Sequence, residues 1–205
     1  MRRTRRMMAV LLALAFGACS PSPSPDEVLE GVTAARPTPP IEKPGFTFTD
    51  TEGEAYDFRA ETEGRLALLF FGYTYCPDVC PLQMARIATA LDSVPPELRE
   101  RIEVVFVSVD PKRDTPERLA TWLGNFDPGF VGLTAPQEEV DALMGSLDFP
   151  PTMFPEGTEG DDYGVGHPGM VWGFTPDGAG RLLWFGGVTA EDYRKDMVQV
   201  ASHRW

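Results

Sequence analysis

Cysteine and histidine are scarce in this chain: three and two residues among 205. Three cysteines cannot build a disulfide framework, so the fold must rest on an apolar core. Basic residues are scarce too. Eighteen Lys and Arg stand against 31 Asp and Glu, and four of those positives (Arg2, Arg3, Arg5 and Arg6) crowd the first six positions. Without these four the balance is 14 against 31, or −17. A surface that negative repels phosphate backbones, which argues against nucleic acid as a partner. It suits cations, a basic partner or plain solubility. No apolar run reaches the roughly 20 residues that a transmembrane helix needs. What is present is 42% hydrophobic content, in a length that fits one ordinary domain plus a leader or tail.

Residues 1–19 read as a secretory leader. A basic stretch over 1–6 precedes an apolar run over 7–18, which closes on the small residues Gly17 and Ala18 before Cys19. A small pair directly before a cysteine resembles the bacterial lipoprotein cleavage site, where the cysteine becomes the lipid-bearing N-terminus. Phe16 stands where that site usually has Leu. The resemblance implies lipidation at Cys19, with an uncleaved signal as the alternative anchor. Residues 20–25 alternate Ser and Pro, and Pro37, Pro39, Pro40 and Pro44 continue the theme. Such composition stays extended, so 20–43 is expected to be a tether and 44–205 the folded domain. The expected location is the extracytoplasmic face of a bacterial cytoplasmic membrane, where thiols tend to oxidise.

From about Pro44 the pattern turns globular. Segments 46–48 and 55–58, around a turn at 50–54, predict a short hairpin. Residues 66–71 (LALLFF) form a continuous apolar run, as expected of a strand buried on both faces, and 103–109 (EVVFVSV) form a second. Helices are predicted over 82–91, 116–126, 136–147 and 190–202, the second opened by Asp114-Thr115-Pro116-Glu117. Residues 130–133 make a short strand. After an irregular loop over 148–166, segments 170–174 and 181–185 flank the turn Pro176-Asp177-Gly178 as an antiparallel pair. Strands that alternate with helices and then close on a hairpin and a helix imply an α/β fold, a mixed central sheet flanked by helices.

The chemistry concentrates in 70–81, FFGYTYCPDVCP, where a buried strand runs into a loop with Cys76 and Cys80 four apart. If that turn is helical, the spacing puts both sulfurs on one face, and a helix start favours thiolate. Two exported cysteines so spaced can be a metal clip, a redox pair or a structural disulfide. His167 lies in GVGHPG at 164–169, ahead of a core strand, whereas His203, three residues from the end, is expected to be solvated. Two sulfurs and one imidazole suit copper: soft thiolates hold Cu(I), and the added nitrogen accommodates Cu(II). A structural zinc site would need a fourth protein ligand.

Three segments together resemble the Sco/SenC family: FFGYTYCPDVCP, then VSVDPKRDTP at 107–116, then His167 ahead of a strand and Pro176-Asp177-Gly178. The resemblance spans roughly 41–201. It implies a thioredoxin-like fold and a role in supplying copper to the binuclear copper centre of cytochrome c oxidase. It also implies copper, Cu(I) or Cu(II), on Cys76, Cys80 and His167, with Cys76 and Cys80 able to form a redox disulfide. The implied partners are the oxidase's copper-centre subunit and a thiol reductant or another copper carrier. Asp110 falls in the matching Asp-Pro segment and is expected to cap the following turn rather than bind copper. Two positions depart from the family: Gly166 stands where an acidic residue is common, and Pro168 where Ser or Thr is usual. The expected function is that of a copper-binding assembly factor, not a turnover enzyme. The alternative is a thiol–disulfide oxidoreductase that keeps the oxidase cysteines reduced, although Cys-x-x-x-Cys is one residue longer than the usual reductase spacing. A peroxiredoxin-like peroxidase lacks support: Thr74 stands two residues before Cys76 rather than three, and the second cysteine is too close. Tyr73, Tyr75 and Phe154 are aromatic candidates for a docking surface, with packing against core or loop preferred.

Overall fold

The two apolar runs picked out in the sequence lie side by side at the centre of the fold. The structure, a computed structural model, describes residues 23–155 and 163–205. In chain order the elements begin with α1 (Pro25–Val28), β1 (Ile41–Glu42), β2 (Thr47–Asp50), β3 (Ala55–Asp57), α2 (Phe58–Glu61) and β4 (Leu66–Gly72). Then come α3 (Val79–Asp92), α4 (Pro96–Arg99), β5 (Ile102–Ser108), α5 (Pro116–Leu123) and β6 (Val131–Thr134). The chain closes with α6 (Gln137–Ser146), β7 (Val171–Phe174), β8 (Ala179–Trp184) and α7 (Ala190–Ala201). Among the described residues no helix is long and apolar enough to cross a membrane.

Among the described residues all eight strands share one sheet, in the order β1-β8-β7-β4-β5-β6-β2-β3. The centre is parallel, with Leu66 opposite Ile102 through to Gly72 opposite Ser108, and β6 continues it beside β5. Outward from there the pairs β4–β7, β7–β8, β1–β8, β2–β6 and β2–β3 are antiparallel. This is the mixed sheet flanked by helices that the sequence implies. Every residue of β4 is buried, which a run without polar alternation requires. Each Leu or Phe so enclosed contributes about 1.5–3 kcal/mol relative to exposure.

Three local differences have simple causes. Phe58 opens a helix instead of ending a strand, because the Asp57 side chain accepts from the N–H groups of Arg59 and Ala60. α3 begins three residues ahead of the predicted 82, at Val79: Pro81 lies in its first turn, where no N–H is needed. α5 stops at Leu123, ahead of Gly124.

The expected tether is the larger departure. From Ser24 onward, residues assigned to it pack against the domain. Ser24 and Glu27 form a reciprocal capping box on α1, and Val28, Leu29 and Ala34 are buried. The carboxylate of Asp196 on α7, 1% exposed, accepts the N–H groups of Thr33 (2.8 Å) and Ala34 (2.9 Å) together with Trp184 Nε1–H (2.8 Å). Gln199 donates to the carbonyls of Val28 and Glu30, Ala35 bridges Leu183, and β1 adds an edge strand beside β8. The folded body therefore starts near Ser24 rather than Pro44. Composition missed this because a few apolar positions and a carboxylate some 160 residues away overrule a proline-rich average. An Asp196→Ala chain should lose about 3 kcal/mol, since three donors, two of them buried, lose their acceptor at once. Denaturant titration should show this, with early proteolysis between Ser24 and Lys43; a loss below about 1 kcal/mol would refute the fastening role. The leader and Cys19 lie outside the described residues.

Candidate metal centre

The loop from β4 to α3 is built from beneath. β4 ends at Gly72, where an added Cβ would sit 2.8 Å from the Phe70 ring, 2.9 Å from Phe106 and 3.0 Å from Cys80 Sγ. A side chain there would push the sulfur away. Two residues on, the Asp114 carboxylate takes Thr74 N–H (3.0 Å) and Thr74 Oγ1–H (2.6 Å), and also Ser108 Oγ–H (2.7 Å). Arg118 Nε–H reaches Thr74 Oγ1 from the other side (2.9 Å). Burial holds the Asp114 pKa above the usual carboxylate range, against these hydrogen bonds. The sequence predicted Asp114 near a helix cap, but Thr115 caps α5 and Asp114 instead fastens the cysteine loop.

The two cysteines are inequivalent. Cys76 precedes the Asp78 N-cap, while Cys80 already lies in the first turn of α3, so they do not share a helix face as the spacing alone suggested. Cys80 N–H points at Cys76 Sγ over 3.4 Å, so the open end of the helix addresses that sulfur. The side-chain hydrogen bond with Cys80 does most to lower the Cys76 pKa, helped by the backbone N–H groups, and brings it to about 4. Cys80 moves the other way because it is fully buried and its thiol keeps its proton, donating a hydrogen bond to the Cys76 sulfur. The pair holds one thiolate and one thiol, with Cys76 at 9% exposure and Cys80 at zero.

His167 arrives from the far side of the sequence, between an isolated bridge (Met153 with Gly166) and β7. Its Nε2 lies 3.4 Å from Cys80 Sγ. Its Nδ1 faces the Pro168 carbonyl at 3.0 Å; a carbonyl only accepts, so Nδ1 carries the hydrogen and Nε2 keeps a lone pair. That carbonyl orients the ring in place of the acidic neighbour that Gly166 does not supply. The edges of Phe70 and Tyr73 wall the imidazole, at centroid distances of 6.1 Å and 5.5 Å. Tyr73 is buried, and its hydroxyl accepts Val165 N–H (3.3 Å), so it belongs to the wall rather than to an exposed surface.

One donor atom each from Cys76, Cys80 and His167 therefore lies within 4.8 Å of the others. Two sulfurs and one imidazole form a soft three-donor set suited to copper and short of the fourth ligand of structural zinc. Asp110 stands apart from this cluster. Its carboxylate pairs with Arg113 and accepts the Tyr163 hydroxyl (2.9 Å), a structural role as expected, although the turn is closed by its backbone carbonyl rather than by its side chain. His203 is half-buried and bonds the Gln199 carbonyl at the end of α7, so it is packed rather than solvated. Tyr75, Val79, Leu82, Met153 and Phe154 are exposed, and Tyr75 and Val79 directly adjoin the cysteines. Tyr75 also lies under the guanidinium groups of Arg113 and Arg118.

The pH response of the thiols follows from this asymmetry. Alkylation requires thiolate, so an ordinary cysteine reacts about tenfold faster per pH unit below its pKa of about 8.5. Cys76, lowered to about 4, is ionised throughout pH 6–8 and should react at a nearly constant rate there, falling only as pH approaches 4. Cys80 should remain unmodified. A rate that climbs tenfold per unit from pH 6 to 8, followed by peptide mass mapping, would contradict the assignment.

A family model described as SCO1/SenC matches residues 34–202. The chain is 41% identical over 125 residues to a putative copper-binding protein of Stutzerimonas stutzeri, covering 60% of each. It is 35% identical over 147 residues to the mitochondrial SCO1 homolog of Homo sapiens, covering 68% of this chain and 46% of that one. It thus spans about half to three fifths of the length of these curated relatives. The copper-bound ScoI structure of Bradyrhizobium japonicum aligns with a TM-score of 0.69 at 29% identity, over 78% of this chain and 99% of that chain. Because the family match runs from residue 34 to residue 202, across every strand of the sheet, this thioredoxin-like chain belongs to the SCO1/SenC family.

Proposed function

We propose that this protein is a copper carrier that supplies the copper centre of cytochrome c oxidase, binding its cargo between Cys76, Cys80 and His167. The observation that carries this reading is the convergence of one donor atom from each within 4.8 Å. Relatives described as copper-binding, and a related structure with copper bound, support it. Cys76 offers a ready thiolate, Cys80 releases its proton as its sulfur takes the metal, and His167 presents the Nε2 lone pair. Delivery then proceeds by ligand exchange: thiolates of the oxidase's copper-centre subunit displace Cys76 and Cys80 in turn. Anchoring through Cys19 on the extracytoplasmic side of the membrane, after loss of residues 1–19 as a leader, completes the proposal. A thiol reductant or another copper carrier would keep the site reduced and filled.

The inequivalence of the cysteines favours a second reading, a thiol–disulfide oxidoreductase. The Cys76 thiolate would attack a disulfide of the oxidase subunit, and Cys80 would then attack the mixed disulfide. Two electrons pass to the partner, leaving its thiols reduced and a Cys76–Cys80 disulfide behind. Cells lacking the protein and complemented with His167→Ala separate the two. A carrier should fail to restore oxidase copper at ordinary copper levels, with the Cys76–Cys80 redox couple intact. Full rescue would establish the reductase reading and overturn ours.

A further inference from the structure

Gln83 follows Cys80 by three residues on α3 and is 2% exposed. Its amide nitrogen donates to the Gly169 carbonyl (3.4 Å) and to the Tyr193 hydroxyl (3.3 Å). Its Oε1 is buried with no hydrogen-bond partner. An unpaired buried amide oxygen is destabilising, and an apolar side chain of the same length would fill this space without it. The residue therefore does something other than stabilise the core. What it does physically is join two segments: α3, which carries Cys80, and the stretch after His167, whose Gly169 also lies close against Val79, an added Cβ there coming within 3.3 Å of Val79 Cγ1.

That junction has a selective consequence, which rests on the ligand set proposed above. Both sulfurs belong to the loop and first turn of α3, so two thiolates can hold Cu(I) without the His167 segment. Cu(II) needs the imidazole, which only that second segment brings. A contact that binds the segments together therefore favours Cu(II) over Cu(I). We propose that Gln83 is a positioning residue that holds His167 against α3 and so sets the balance between the two copper oxidation states.

The test compares Gln83→Met, which keeps length and volume but removes the donor, with Gln83→Glu, whose carboxylate can only accept and would face the Gly169 carbonyl. Cu(I) and Cu(II) affinities are measured by chelator competition, and backbone hydrogen exchange over 165–170 is measured without metal. Gln83→Met should weaken Cu(II) by about tenfold, the scale of one lost hydrogen bond, and leave Cu(I) within about twofold. For a one-electron couple that difference raises the midpoint potential by about 59 mV. Exchange over 165–170 should quicken in the metal-free chain, and Gln83→Glu should match or exceed these effects. Equal losses for both oxidation states, or unchanged Cu(II) affinity and exchange, overturn the inference. His167→Ala run in parallel keeps the two failures apart. If it still weakens Cu(II) selectively, only the role of Gln83 falls; if it does not, the ligand assignment falls with it.

Discussion

Replacing Cys80 by serine is expected to abolish copper retention in both oxidation states, by more than about a thousandfold in affinity. Serine offers a neutral, hard hydroxyl where copper finds a soft sulfur, and at neutral pH it does not ionise to compensate. The exchange also lifts the proton-sharing arrangement that makes Cys76 a thiolate, because the Cys80 side chain is the largest cause of that lowered pKa. Cys76 should then climb back toward an ordinary thiol, and its flat alkylation profile should steepen. Folding should survive. The first turn of α3 is capped by Asp78, and serine is no larger than cysteine in the space above Gly72. Metal analysis after reduced reconstitution and gel filtration should find about one copper per wild-type chain and almost none in the variant. Normal loading of Cys80→Ser would remove the sulfur from the ligand set.

The second large effect is oxidation-state selective. His167→Ala should weaken Cu(II) by at least about a hundredfold and Cu(I) by less than about tenfold, since the removed ligand is the one nitrogen in a set otherwise made of sulfur. The lone pair lost is the one that the Pro168 carbonyl frees on Nε2. Removing the ring also opens the wall formed with Phe70 and Tyr73, so any residual Cu(II) spectrum should shift toward water ligation. Chelator competition with each ion, together with electron paramagnetic resonance for nitrogen coupling, decides the matter. Equal losses would mean that His167 shapes the site without binding the metal.

Both variants were readable from the sequence because their chemistry is carried by rare residues. With three cysteines and two histidines, few metal sites can be assembled, and the run FFGYTYCPDVCP marks one end of it. The central strands were readable for a related reason: unbroken apolar runs such as LALLFF leave no polar face for solvent. What escaped was set by partners distant in sequence or by backbone atoms. Asp114 and Gln83 look like ordinary polar residues until Thr74 and Gly169 come beside them. The Pro168 carbonyl has no side-chain signature at all. The boundary of the folded body was missed for the reason Asp196 shows, since one carboxylate can gather a proline-rich segment that composition leaves loose.

On the proposed anchor at Cys19, that gathered segment would determine how far the proposed copper site can travel. A free tether over 20–43 would span up to about 80 Å at roughly 3.3–3.6 Å per residue. With the chain fastened from Ser24, the slack beyond the proposed lipid on Cys19 would shrink to a few residues, or about 15 Å. A domain of this size is itself some 30–40 Å across. Under the proposed lipid anchor, such a molecule would not sweep the space above the bilayer. It would patrol a thin layer at fixed height and meet partners by lateral diffusion, and an acceptor thiol would have to be presented within that same layer.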